Sequence, residues 1–227
     1  MSYVMADPGG QRRRPRAPLV IGIVVVVIAA AVVAFVLGRH QSAPPAVAPA
    51  PTGQHPVPDG HGGNGVTWSR VADTIVPVSA AAGPHVIHDG VASGYARTTL
   101  GAVIAAINIS SRLTTEAGPI VYTAVANQQC YGGVQDMITA IQNSAGSSSD
   151  SSALPTAYWY RIVNGSAASG VLVLAIAAQT PQSQALGGYV QYDRTVQWQS
   201  GDWRLQVPPA QANVITSTAG YTLLGRP

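Results

Sequence analysis

The 227-residue sequence contains no lysine, and only 9% of its residues are charged, against the ~25% usual for soluble domains. Five of its twelve arginines lie between Arg12 and Arg39. From His40 onward there are seven arginines against eight acids, a net of −1, so the pI near 9.2 does not belong to the body of the chain. That removes the electrostatic footprint expected of a nucleic-acid binder. A single cysteine, Cys130, excludes an intramolecular disulfide, so the domain must be held by its core, with a free thiol at an interface left open.

Recognisable catalytic patterns are missing as well. There is no G-x-S-x-G, no Ser/His/Asp arrangement and no zinc motif. Gly60, Gly62 and Gly65 match G-x-G-x-x-G, but no strand precedes them and no helix follows, so the dinucleotide reading fails. His55, His61, His85 and His88, with Asp89 adjacent, read as solvated loop histidines rather than a metal site, because two of them fall in linker sequence. The N-x-S sequons at Asn108 and Asn164 carry little weight, Asn108 lying in a predicted helix.

What the chain does have is one long apolar run, residues 19–38, preceded by Arg12, Arg13, Arg14 and Arg16 and followed only by Arg39. Twenty helical residues reach roughly 30 Å, the thickness of a bilayer's hydrocarbon core. The arginine asymmetry puts the N-terminus in the cytoplasm and the C-terminus outside. A cleaved signal peptide is the rival reading; its apolar region is usually shorter, and no clean cleavage site precedes Arg39. Ala30, Ala34 and Gly38 would give the helix one small-residue face.

The expected organisation is therefore a cytoplasmic tail over residues 1–18, a membrane span over 19–38, a linker over 39–65, and an extracytoplasmic domain over 66–227. The linker carries Pro44, Pro45, Pro49, Pro51, Pro56 and Pro58 and then several glycines, semi-rigid at first and flexible after. At about 3 Å per residue it reaches up to roughly 80 Å from the membrane.

Within the domain, Trp68 to Val78 reads as an ordered lead-in. Thr98 or Thr99 can cap a helix in which Leu100, Val103, Ile104 and Ile107 share a face, ending near Leu113. Gly118-Pro119 restarts a helix that Gly132-Gly133 breaks, and Val134, Met137, Ile138 and Ile141 mark a third. A polar loop over 146–152 follows. The period then changes to strands: Ala157 to Val163, with a turn beginning at Asn164-Gly165, then Val171 to Ala178, apolar on both faces as in a central strand. In the next, Val190, Tyr192, Val196 and Trp198 alternate with polar residues. Ser200-Gly201 turns the chain back into Trp203, Leu205 and Val207, with Asp202 and Arg204 facing out, and Pro208-Pro209 ends the sheet. Helices followed by an antiparallel sheet make an α+β domain.

This order, ending in the Gly201-Asp202-Trp203-Arg204 hairpin, resembles the NTF2-like cone, with helices packed on a curved antiparallel sheet. Gly94-Tyr95-Ala96-Arg97-Thr98-Thr99-Leu100-Gly101-Ala102-Val103, together with Trp68, Val76-Pro77-x-Ser79 and Gly83-Pro84, resembles an actinobacterial family of single-pass membrane proteins with a G-[FY]-A-x-T-P-x-G-A-V core. Leu100 stands where that family usually has proline, a change the first helical turn tolerates. The likeness spans roughly Trp68 to Pro209, with Gly94, Tyr95, Thr98 and Gly101 as the motif residues. It implies an association with conjugative elements and a kinship with scaffold subunits of type IV secretion, which are not enzymes and bring no catalytic residues and no cofactor.

Three functions follow for testing. The first is a membrane-anchored scaffold or assembly subunit that docks onto itself or onto other envelope secretion subunits. The second is an extracytoplasmic ligand-binding or sensory domain with Tyr95, Trp159, Tyr192 and Trp198 as candidate pocket lining; the alternative for these aromatics is plain core. The third is an enzyme using Asp136 near Tyr122 or Tyr131, although a carboxylate at the third position of a helix commonly serves the exposed N–H groups there. The sequence favours a non-enzyme without cofactor or metal.

Overall fold

The computed structural model describes residues 65–72, 74–144 and 154–227. No helix among them is long and apolar enough to cross a membrane. The expected span over 19–38, the tail before it, all but the last residue of the linker, and the loop over 146–152 lie outside the described residues.

The domain is α+β. Its lead-in is a hairpin, β1 (Val66–Val71) with β2 (Thr74–Ser79), followed by a second small hairpin, β3 (Val86–His88) with β4 (Val91–Ser93). Helix α1 (Thr99–Arg112) is capped by Thr98, whose hydroxyl accepts from the Gly101 N–H at 3.0 Å. Residues 101 to 109 of α1 are all buried, so this is a central helix rather than an amphipathic surface one. Helices α2 (Pro119–Gln129) and α3 (Val134–Asn143) follow, with Pro119 at the start of α2 as expected. Between them runs a strand the sequence did not suggest, β5 (Cys130–Gly132), too short to show a period.

The large sheet is built from β6 (Ala157–Ser166), β7 (Val171–Gln179), β8 (Tyr189–Gln199) and β9 (Asp202–Val207), each antiparallel to the next. A short helix α4 (Pro181–Ala185), with a capping box between Thr180 and Ser183, links β7 to β8. β5 adds to β9 in parallel. Two expectations fail here. The chain does not turn at Asn164-Gly165: β6 continues to Ser166 through an irregularity between Ile162 and Asn164, and the turn falls at residues 167–170. Gly165, just past that irregularity, has φ +82°, and a Cβ there would meet the Val171 carbonyl oxygen at 2.1 Å. Nor does the sheet end at Pro208-Pro209. The prolines stop β9, but the chain returns as β10 (Asn213–Ile215) on β8 and β11 (Thr222–Gly225) on β6.

Register fixes which side chains share a face. Leu172, Leu174, Ile176 and Ala178 of β7 stand opposite Val196, Arg194, Tyr192 and Val190 of β8, and Tyr158 and Tyr160 of β6 stand opposite Ala178 and Ile176. This face, with Trp203, Leu205 and Val207 of β9, packs on α1 and makes the core. One edge of β8 is shared by two strands, β10 on Tyr189–Gln191 and β9 on Val196–Gln199. Tyr192 to Thr195 lies in the gap between them.

Candidate functional site

The two sequence motifs meet each other. Asp202 accepts hydrogen bonds from the Gly94 N–H (2.8 Å), the Tyr95 N–H (3.1 Å) and the Trp203 N–H (2.9 Å). The Trp203 indole N–H donates to the Ala96 carbonyl at 2.9 Å. Arg97 donates to the Ala168 carbonyl at 3.1 Å and lies over Trp198, which in turn packs edge-on against Trp203. Gly101 faces the Ala96 carbonyl oxygen so closely that a Cβ would stand 2.1 Å from it. The stretch Gly94 to Gly101 and the hairpin Gly201 to Arg204 are thus one structural clasp. Gly101 and the Thr98 cap have a packing reason, Gly201 serves the turn with φ +84°, and Asp202, expected to face out, is a hub of backbone contacts.

The candidate pocket aromatics scatter. Tyr95 is 3% exposed, and its buried hydroxyl has no hydrogen-bond partner. Burial pushes its pKa up, Arg112 opposes this and Asp202 adds to it. Trp159 stands opposite Ala177, on the face away from α1, where it packs edge-on against Tyr189. Trp198 belongs to the clasp. Tyr192 lines a cavity.

That cavity has a volume of about 310 Å³ and lies between the second half of α1, the start of β6 and the middle of β8. Its apolar wall includes Ala106, Ile107, Leu154, Pro155 and Ile176; its polar wall includes Ser110, Ser111, Thr114, Tyr158, Tyr192 and Arg194, with Ala72 and Thr74 of the lead-in hairpin also lining it and Glu116 exposed at the rim. Arg194 is half-buried on the core-facing side of β8. Its Nε donates to the Ser110 hydroxyl at 3.1 Å and its Nη1 to the Asp193 carbonyl at 3.0 Å, and its guanidinium sits 5.1 Å from the Tyr192 ring centroid. Among the described residues the only contact within 4.0 Å between a basic side chain's nitrogen and a carboxylate joins His88 to Asp89, so none of the described carboxylates reaches Arg194. Burial pulls the guanidinium below its ordinary pKa, with Tyr192 and Asp193 opposing. The Tyr158 and Tyr192 phenols are pushed up, mainly by burial.

Arg194 escaped the sequence reading although its signal was there. Along β8 the even positions are Val190, Tyr192, Arg194, Val196 and Trp198, so strict alternation already places an arginine on the apolar face. Arg112 was missed likewise. It is 2% exposed at the end of α1 and donates to the Gly90 carbonyl and to the carbonyl and side-chain oxygens of Asn108. Asn108 itself is fully buried and donates to the Pro77 carbonyl, so its sequon is inaccessible in the folded domain.

A second cavity, about 320 Å³, lies between the β3–β4 hairpin, α2 and the β8–β9 turn. Gln129 lines it, donating to the Ala92 carbonyl at 2.6 Å and leaving its buried Oε1 unpartnered. His88 and Asp89 form a fully solvated pair on the rim, at 84% and 80% side-chain exposure, and no group of three or more metal-ligating side chains occurs among the described residues. Asp136 is exposed at the third residue of α3, while Tyr122 is buried and Tyr131 half-buried.

Fold and cavity together define an α+β domain with a room of ligand size on its core-facing sheet surface. The chain belongs to the family described as a domain of unknown function, DUF8175, whose model matches residues 37–223. The match takes in the whole of the linker, all of β10 and the first half of β11. No curated protein and no solved structure matches the chain.

Proposed function

We propose that the chain is a membrane-anchored assembly subunit, with its N-terminus in the cytoplasm and the domain over 66–227 held outside the cell membrane by the linker. In this reading the domain is an NTF2-like cone that docks onto a second copy or onto other envelope subunits of a conjugation or type IV secretion-like machine. It takes no nucleic acid, cofactor or metal and catalyses nothing. The apolar run with its flanking arginines supports the topology. A four-strand meander, β6 to β9, packed on the buried helix α1 supports the cone.

One observation carries the docking role. All three residues of β3, Val86, Ile87 and His88, are exposed on a strand paired only with β4, and Ile120, 79% exposed, lies at the cavity beside them. An unpaired strand edge bearing exposed apolar side chains is a liability that folded proteins blunt unless a partner covers it. A photoactivatable residue at Ile87 or Ile120, introduced into the full chain in intact cells, should capture a second copy or a secretion subunit. One at the exposed Gln182 should not. No capture from either apolar position overturns the reading.

The second reading, a ligand-binding or sensory domain, is favoured by the cavity that Arg194 lines. Its volume stands at the small end of the ~300–1,000 Å³ typical of ligand pockets.

A further inference from the structure

The cavity beside α1 holds one cation, Arg194, and none of the described carboxylates lies within 4.0 Å of it, Glu116 standing exposed at the rim. An arginine carries five N–H donors in a planar fork. The Ser110 and Asp193 contacts of Arg194 use two of them. Among the described residues its remaining amino nitrogen, Nη2, has no hydrogen-bond partner, and it is not among the buried polar atoms cut off from solvent. The hold on Arg194 is firm from behind. Ser110 fixes Nε, the neighbouring carbonyl fixes Nη1, and the Tyr192 ring supports the guanidinium. A half-buried guanidinium costs free energy unless its donors find acceptors. Placing one between Tyr192 and Val196, where strand alternation calls for an apolar residue, is a departure of the kind that accompanies function.

The rest of the wall narrows the ligand. Ile107, Ile176 and Ala106 are buried apolar side chains, Leu154 and Pro155 close the far side, and the phenols of Tyr158 and Tyr192 have no hydrogen-bond partner among the described residues. Glu116 stands exposed at the rim and repels a second negative charge there. We infer that the cavity binds a small carboxylate with an apolar body, its carboxylate paired with Arg194 and its body against Ile107 and Ile176. This rests on the ligand-binding reading above and adds the chemistry of the ligand. A carboxylate suits the fork because it accepts two parallel N–H bonds.

The test uses the full chain in lipid nanodiscs, with empty nanodiscs as blank, and three probes of one shape: 4-butylbenzoate, 4-butylbenzamide and 4-butylbenzamidine. Calorimetry should show the benzoate binding about tenfold tighter than the amide, with the amidine weakest, as expected for a charge-assisted fork. In Arg194→Gln the benzoate should fall to within about twofold of the amide, because only the charge-assisted part is lost. Ser110→Ala, which frees Nε, should narrow the gap part-way and serves if the glutamine variant does not fold. Equal binding of benzoate and amide to the unaltered chain overturns the carboxylate inference and leaves a neutral-ligand pocket. Binding of none of the three overturns the ligand-binding reading and the inference together.

Discussion

The clasp between Gly94–Gly101 and the β8–β9 hairpin and the cavity around Arg194 both draw on β8 and α1, and they are built on opposite terms. In the clasp, the Asp202 carboxylate takes three backbone N–H groups, the Trp203 indole takes a carbonyl, and Gly101 leaves no room for a methyl group. In the cavity, an arginine, two phenols and several hydroxyls face open space. A satisfied network specifies a fold, whereas polar groups left over in a folded domain are available to something else. The residues most recognisable in the sequence are therefore structural, and the better candidate for function carries no motif at all.

Alkaline titration should have the largest effect and reach both regions. Burial pushes the Cys130 thiol up to about 12 from an ordinary 9.0, and raises the phenols of Tyr95 near the clasp and of Tyr158 and Tyr192 in the cavity. Above pH 9 the unfolded chain loses these protons first and so binds fewer than the native state. Stability is accordingly full below that pH and falls as pH rises toward 12. Urea unfolding followed from pH 8 to pH 11 should show a steadily falling midpoint, and a flat profile would contradict the burial.

Gly101→Ala comes next. Its methyl group would collide with the Ala96 backbone, which cannot yield without opening the clasp, and a loss of about 3 kcal/mol or outright misfolding is expected in urea titration. Asp202→Asn keeps the shape and removes the charge from three hydrogen bonds, for a loss of about 2 kcal/mol in the same measurement. If Asp202→Asn proved silent, the clasp would not be the junction its geometry describes. Smallest of all should be Arg194→Met, at under about 1 kcal/mol in either direction, since it removes a poorly solvated charge that has no described carboxylate partner. A large loss there would make Arg194 a structural residue like those of the clasp and erase the contrast.

Much of the α+β order was legible. The helix after Thr98, the restart at Pro119, the central strand at Val171 and the Ser200-Gly201 turn, with both φ angles positive, stand where spacing and turn chemistry put them. The misses have physical causes. β5 is three residues long and exists because β9 offers a free edge. β10 and β11 follow two prolines that end one ladder without forbidding another. The candidate pocket residues dispersed because aromatic content does not tell which face of a sheet a side chain occupies. Trp159 and Tyr158 are neighbours in sequence and lie on opposite faces.

By itself the sequence determined the charge asymmetry around residues 19–38, the lack of any disulfide within the chain and the alternation that turns Arg194 toward the core, because each is a matter of composition or of local period. Only the tertiary structure decided that Asp202 closes on Gly94 and Tyr95, more than a hundred residues away, and that Arg194 meets Ser110 but no described carboxylate. Register between strands and the seating of α1 against them are long-range choices, set by how the whole core packs, and no local pattern encodes which polar groups that packing will leave without partners.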